Sequence, residues 1–331
     1  MISIRISGII IFIEFIVGFA VLFNIKKINL YIFIKHNFSN FIIGIAALLI
    51  FIYILNPVFW SNPLEFLNSI KWMSKYYNDV CTVTLGKCIK SLNLPSSYYF
   101  IWFFFKLPIL IILGLFFFPF VEKEIFKEKI VSLYYGTFLF TFLLILLIFI
   151  LRNVAIYNEI RHIMFLLPMI FIISLFNIFY FNKTFFYYLT SIVIIFFICE
   201  NISLNPYQYT WLNSFAKFTN IQKNFEIDYW GVSNKNLQKQ VISHSKKNSI
   251  NKKVCVYGDL YTKEFLIKKN FSCFKNYSEL DSAKERPFFA YKNVANVKRS
   301  NPKDCNLIWS ENYQYTFSDK NISTGTLWFC N

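Results

Sequence analysis

Six long stretches that are almost free of charged side chains constrain this chain more than any other feature. A helix needs about 20 apolar residues, and at least roughly 17, to cross the hydrocarbon core of a bilayer. Charged residues make up only 16% of the 331 residues, hydrophobic residues make up 56%, and the mean hydropathy is +0.45. This composition excludes a disordered, collagenous or small disulfide-framework protein. The sequence predicts an α-helical polytopic membrane protein with about six spans, at residues 8–24, 39–55, 99–118, 131–151, 163–181 and 184–199.

The net charge of +16, from 34 Lys and Arg against 18 Asp and Glu, reflects the residue usage of the whole chain. Arg is rare, whereas Lys, Asn, Ile, Phe and Tyr are all over-used, which is typical of an AT-rich coding sequence. The basic excess is therefore weak evidence for nucleic-acid binding, and we expect no nucleic-acid partner.

The short loops predict the topology. Residues 25–38 and residues 119–130 each carry three Lys, and the turn at 182–183 carries one. The positive-inside rule places these three loops in the cytoplasm, so that the protein would lie in the inner or plasma membrane. The sequence thus predicts a transmembrane helical domain at 1–200 with an outer loop at 56–98, and an extracytoplasmic domain at 201–331.

Six of the seven cysteines fall in the segments predicted to lie outside the cell, an even number in each segment. This pattern favours disulfides over free thiols. Cys199 lies inside a span. No Cys and His spacing matches a zinc site, so no metal or other cofactor is predicted, although a divalent metal at the site is left open. We expect a Cys81–Cys88 bridge and two further bridges, with three possible pairings, among Cys255, Cys273, Cys305 and Cys330.

The segment after residue 200 alternates between helix and strand patterns. Residues 232–246 and 262–269 read as helices, and residues 253–258, 287–292 and 306–310 read as strands. Such alternation predicts a small α/β domain. No Gly-rich phosphate loop follows the first strand, so nucleotide binding is not indicated.

Several acidic residues outside the spans are candidates for acid–base chemistry. Glu65 follows Asn62 and Pro63, so it is either a catalytic carboxylate or the last residue of a helix capping box. Glu226 and Asp228 are two residues apart and would share one face of a strand, either as an acid–base pair or in a structural role at the membrane surface.

The loop between the fourth and fifth spans concentrates charge beside the bilayer. Arg161 and His162 could hold a lipid-linked phosphate, because a guanidinium forms bidentate bonds to phosphate. The alternative is that the cations reach lipid headgroups and that Glu159 forms a local ion pair.

Five motifs occur in order along about 180 residues: PVFWSNP at 57–63, LPSSYY at 94–99 leading to KLP at 106–108, YNEIRHIMFLLP at 157–168, NPYQY at 205–209 with Asn213, and EIDYWG at 226–231. Together they resemble the later half of bacterial membrane glycosyltransferases of the GT-C type, relatives of the dolichyl-phosphate-mannose-protein mannosyltransferases. The resemblance implies transfer of a sugar from a polyprenyl-phosphate donor in the membrane to an extracytoplasmic protein, lipid or glycan acceptor.

The chain departs from that pattern at its N-terminal side. Enzymes of this type place a catalytic Asp or Glu in the first outer loop, and no acidic outer loop precedes residue 39 here, so we expect an N-terminal catalytic part to be missing. Arg161, His162 and Lys106 could neutralise a leaving phosphate, and only Glu65 and Glu159 remain as alternatives for the base. The competing hypothesis is a non-catalytic membrane protein whose outer domain binds a partner or a glycan. A transporter ranks last.

Overall fold

The computed structural model describes residues 10–55, 57, 60–62, 64–65, 68, 79–227, 231–247, 254–256, 260–274, 287–293, 305–315 and 321–330. Asp228 and the first two residues of the predicted span at 8–24 lie outside these ranges. The chain is mostly helical, with a small strand-containing part at its C-terminal side.

Helices long and apolar enough to cross a membrane form the first two thirds of the chain. Among the described residues there are four, and a fifth if one bent pair counts as a single span. The count of about six spans is therefore not confirmed; helix α1, with 17 described residues, stands at the lower limit for a span. In chain order the helices of this part outside the bent pair are α1 (Ile10–Lys26), α2 (Leu30–Leu55), α5 (Phe118–Lys127), α6 (Lys129–Leu151), α7 (Leu167–Phe181) and α8 (Lys183–Ser203).

The predicted span at 99–118 is broken in the middle. Helices α3 (Ser97–Lys106) and α4 (Ile109–Phe116) replace it, and they meet at an angle of 118°. The break falls at Leu107 and Pro108, whose backbones are extended, because proline lacks an N–H and disfavours helix at the residue before it. At 1.5 Å per residue the two helices measure about 15 and 12 Å, and because they are bent by 118°, the pair covers less of the roughly 30 Å core than a straight helix of the same length.

Helix α3 lies along the segment 152–166 instead of leading away from it. The Tyr98 hydroxyl, at its start, donates to the Glu159 carbonyl at 3.3 Å. Lys106, at its end, contacts the Glu159 carboxylate at 2.6 Å. Both ends of α3 are therefore held at the same residue of this segment.

Helix α4 packs closely against α7 through small and polar residues. Ser174 Oγ donates to the Ile111 carbonyl at 2.8 Å, and Asn177 Nδ2 donates to the Gly114 carbonyl at 3.0 Å. The Tyr135 hydroxyl of α6 donates to Asn177 Oδ1 at 2.8 Å, so that one buried polar chain joins three helices. Such interhelical hydrogen bonds and close approach at small residues are the usual means of helix association in lipid.

The segments predicted to lie outside the cell pack together against the ends of the helices. A hairpin of β1 (Cys81–Thr84) and β2 (Lys87–Lys90) is closed by the Cys81–Cys88 disulfide. Short helices α9 (Ser214–Lys217) and α10 (Ile221–Asn224) follow α8. Trp102 and Phe225 are fully buried between these segments, with their rings 5.6 Å apart.

Within its described residues, the C-terminal part forms a five-stranded sheet and two helices. The sheet order is β4-β3-β5-β7-β6, parallel at β4, β3 and β5 and antiparallel across β5, β7 and β6. Its elements are α11 (Asn234–Lys247), β3 (Val254–Val256), α12 (Leu260–Ile267), β4 (Ser272–Phe274), β5 (Phe288–Asn293), β6 (Cys305–Gln314) and β7 (Asn321–Cys330). Both helices and three of the strands follow the sequence prediction, whereas β4 and β7 were not predicted.

The cysteines of this sheet lie opposite one another on neighbouring strands. Cys305 faces Cys330 in the β6–β7 register, and the two form a disulfide. Cys273 is disulfide-bonded, and its Cα lies opposite that of Cys255 in the β3–β4 register. Among the described cysteines, Cys199 carries no disulfide and is exposed on α8.

We predict that Gly114→Ala destabilises the helix bundle. A Cβ at this position would lie 2.0 Å from Ser174 Oγ and 2.6 Å from the Ser174 carbonyl oxygen, so α4 and α7 would have to separate. We expect a loss of about 1–3 kcal/mol in unfolding free energy, measured by denaturant titration in detergent micelles. The matched control is Gly44→Ala on α2, where a Cβ meets no atom within 4 Å. Equal stability of the two variants would contradict the prediction.

Candidate functional site

The candidate site lies where the hairpin, helix α3 and residues 152–166 meet. Asn158 and Glu159 both have positive φ angles, 53° and 65°. Residues other than glycine adopt such angles at a cost of roughly 1–2 kcal/mol each. The Asn158 N–H donates to Thr82 Oγ1 at 2.9 Å, and Tyr98 holds the Glu159 carbonyl. These contacts fix a strained turn at the boundary of the membrane helices.

Glu159 points inward from this turn and forms a buried ion pair with Lys106. Their Nζ and Oε2 atoms are 2.6 Å apart, and the side chains are 10% and 4% exposed for Lys106 and Glu159. Lys106 also donates to the Tyr209 carbonyl at 3.0 Å. Glu159 Oε1 has no hydrogen-bond partner among the described residues. Burial raises the pKa of Glu159 to about 6, while Lys106 opposes the rise.

Arg161 and His162 point to the other side of the same turn. The Arg161 guanidinium lies 3.4 Å from His162 Nε2 and 5.0 Å from the centre of the Tyr157 ring. The Tyr157 and His162 rings are 4.6 Å apart. His162 is exposed and Arg161 is half-buried, so the structure brings both predicted phosphate ligands together with an aromatic ring. In the sequence, Glu159 lies between Tyr157 and Arg161. Its ion pair with Lys106 is on the opposite side of the turn.

Glu226 is a second buried carboxyl beside the hairpin. Its Oε2 accepts from the Val83 N–H at 3.0 Å, and its own N–H donates to the Val83 carbonyl at 2.9 Å. Burial raises the pKa of Glu226 to about 7, the Val83 hydrogen bond opposes this, and the charge of Glu159 adds to it. Asp228, its proposed acid–base partner, lies outside the described residues.

Glu65 makes local contacts. Asn62 Oδ1 accepts from the Leu64 N–H at 3.1 Å, and Glu65 Oε1 accepts from the side-chain amide of Asn62 at 3.3 Å. Asn68 also donates to Glu65 Oε1, at 3.4 Å. This arrangement has the character of the predicted cap, with the Asn62 side chain in place of its backbone N–H as the donor to Glu65.

Sequence reasoning did not single out Glu200, Lys217 and Trp211, which form a further buried network. Lys217 forms an ion pair with Glu200, and Trp211 Nε1 donates to Glu200 Oε2 at 2.6 Å. The available signal was an acidic residue at the end of an apolar run, followed by an aromatic-rich segment with one Lys. Within the ranges that the structure describes, no three His, Cys, Asp or Glu residues come together as a metal site.

Comparisons of the chain with protein-family models, with curated proteins and with solved structures find no match. The function has to be inferred from the residues of the chain itself.

We predict that Glu226→Gln weakens the pH dependence of stability. A folded pKa of about 7, above the ordinary 4.5, means that the stability from this group is full below about pH 4.5 and is lost as the pH rises through 7. Glutamine keeps an acceptor for Val83 but does not ionise. The fall in unfolding free energy from pH 5 to pH 8 should shrink by up to roughly 3 kcal/mol, as followed by chemical denaturation.

The control for this experiment is Glu264→Gln, since Glu264 is exposed on α12. It should retain the pH profile of the unsubstituted protein. Parallel profiles for Glu226→Gln and the unsubstituted protein would show that Glu226 is not the titrating group.

We predict that Lys106→Met is strongly destabilising at pH 8, because it leaves the Glu159 carboxylate buried without a counter-charge. Removal of one partner of a buried ion pair costs about 3–5 kcal/mol. Addition of Glu159→Gln should recover most of this loss, since no charge then remains. Thermal unfolding in detergent at pH 8 compares the single and double variants, and a double variant no more stable than Lys106→Met would refute the pairing.

Proposed function

We propose that this chain is a membrane glycosyltransferase, or part of one, that binds a polyprenyl-phosphate-linked sugar donor for transfer to an extracytoplasmic acceptor. The observation that carries the proposal is the grouping of Arg161, His162 and Tyr157 on one side of a rigid turn at the end of a membrane helix.

The chemistry of this group suits a phosphate. A guanidinium forms two parallel, charge-assisted hydrogen bonds to phosphate oxygens, and a neighbouring imidazole can add a third. The Tyr157 ring supports the guanidinium from one side through a cation–π contact. In sugar transfer these groups would stabilise the negative charge that develops on the leaving phosphate.

The buried side of the turn makes the site rigid. The Lys106–Glu159 ion pair and the hydrogen bonds from Asn158 to Thr82 and from Tyr98 to Glu159 hold the backbone from which Arg161 projects. Binding groups on a pre-organised backbone lose little conformational entropy when the ligand binds. Glu159 therefore acts as a positioning residue in this proposal.

The proton of an acceptor hydroxyl needs a carboxylate base. Glu159 forms a buried ion pair, and Glu65 accepts a hydrogen bond from the nearby Asn62 side chain. Neither is therefore assigned the role of the base. We assign to the described site the donor-binding half of the reaction.

The proposal also orients the outer segments and the sheet domain away from the cytoplasm. The hairpin contacts both residue 158 and residue 226, which supports a common side of the membrane for these segments. The segments 25–38 and 119–130 were predicted as loops, but residues 30–38 belong to α2 and most of 119–130 belongs to the short helix α5. The lysines that remain around the connection between α1 and α2, together with those of α5 and the start of α6, favour the cytoplasm for the opposite side. The disulfides of the hairpin and of the β6–β7 pair support an oxidising compartment.

The second candidate is a non-catalytic membrane protein whose outer domain binds a partner or a glycan. The engagement of both Glu65 and Glu159 in structural contacts favours it. Phosphate-dependent lipid binding distinguishes the two candidates.

We predict that Arg161→Ala lowers the affinity of the purified protein for undecaprenyl phosphate by at least about tenfold. This corresponds to the loss of charge-assisted hydrogen bonds worth roughly 1.5–3 kcal/mol. Binding is measured in nanodiscs with radiolabelled lipid. Undecaprenol, which lacks the phosphate, should bind all variants equally.

The matched control is Arg152→Ala, which removes an exposed Arg from the same segment. It should leave the affinity unchanged. If Arg161→Ala binds undecaprenyl phosphate as well as Arg152→Ala does, the phosphate site is rejected and the second candidate is favoured.

A further inference from the structure

Four exposed phenylalanines form one patch beside the ends of the membrane helices. Phe100 and Phe104 lie four residues apart on α3, and Phe215 and Phe218 lie on and just after α9. Phe218 is 84% exposed and Phe100 is 57% exposed. The Phe104 and Phe215 rings stack at 5.2 Å, which joins the two halves. We call these four residues the tail-side aromatic patch.

The segment that carries half of the patch contacts helix α8 about two turns before its end. The Trp211 ring contacts the Phe197 ring at 5.7 Å, and Lys217 Nζ lies 5.5 Å from the centre of the Phe196 ring. Phe196 is seven residues before Ser203, the last residue of α8, which corresponds to about 10 Å along the helix axis. After leaving α8, residues 211–218 therefore turn back along the apolar surface of a candidate span.

The two lysines beside the patch are neutralised inside the protein. Lys217 pairs with Glu200, with side chains 13% and 1% exposed, and Lys106 pairs with Glu159. An unpaired cation at hydrocarbon depth is costly, whereas a buried pair presents little charge to its surroundings. The patch thus consists of apolar side chains, and the lysines beside it add no unpaired charge.

We propose that the tail-side aromatic patch is immersed in the membrane leaflet nearest the sheet domain and contacts lipid acyl chains. The occupant is lipid because the patch continues the exposed apolar side of α8, where Phe197, Ile198 and Ile202 are 42%, 52% and 72% exposed. Clustered exposed aromatic side chains in water would be an unusual surface for a monomer. Helix α3 and residues 211–218 then form a platform in the membrane, and the aqueous domain begins after it instead of at residue 201.

Site-directed spin labelling in phosphatidylcholine and phosphatidylglycerol vesicles tests this proposal without reference to any ligand. The native thiol of Cys199, exposed on α8, supplies the reference label in hydrocarbon. The test label is Phe218→Cys in a Cys199→Ser background. The aqueous control is Lys239→Cys in the same background, on the exposed side of α11. Phe218 is so exposed that its replacement removes few contacts, and size-exclusion chromatography checks that each variant is folded.

The label at 218 should match the label at 199, with strong relaxation by oxygen and loss of relaxation by the water-soluble nickel complex NiEDDA. Relaxation by NiEDDA equal to that at 239 would place the patch in water and overturn the proposal. Low accessibility to both reagents in dilute vesicles would show that protein covers the patch, either a second copy or another segment, and would also overturn it. A label at Phe100→Cys repeats the test on the other half of the patch.

Discussion

The rest of the outer structure depends on the pairing of the Lys106 ammonium with the Glu159 carboxylate. This contact fixes the end of α3 against the turn at 158–159, and the same turn is held from the start of α3 by Tyr98. A lysine in the middle of a long apolar stretch would otherwise have to reach water. When the charge of Lys106 is neutralised by Glu159, the chain can bend by 118° at Pro108, and α4 can pack against α7.

Hydropathy predicted the continuous membrane helices, but it gave no measure of the 118° bend within the predicted span at 99–118. Helices α6 and α8 lie within a few residues of the predicted spans because long uncharged runs leave no other fold in lipid. Pro108 marks the position of the break, and Lys106, at the end of α3, forms its ion pair with Glu159, 53 residues later. Such a long-range contact leaves no periodic signal in the sequence.

The residues of the candidate site could be found from their types, but their arrangement could not. Arg161, His162 and Glu159 were visible as an unusual cluster of charge beside the bilayer. Their division between two sides of one turn follows from positive φ angles at Asn158 and Glu159; asparagine tolerates such an angle, but the residue type of Glu159 does not indicate it. Glu226 was expected beside Asp228, but its described contacts are with Val83, far away in the sequence.

Strand β7 was missed because Gly325 interrupts its apolar pattern; in the sheet, a Cβ at this position would come into tight contact with Ser233, 3.2 Å from its Oγ. Its position in the sheet has a consequence for biosynthesis. β7 is made after β5 and β6 yet lies between them, so the two earlier strands emerge without their common neighbour. Until β7 is inserted, β5 and β6 each present an edge of unpaired backbone N–H and C=O groups, which can pair with other strands.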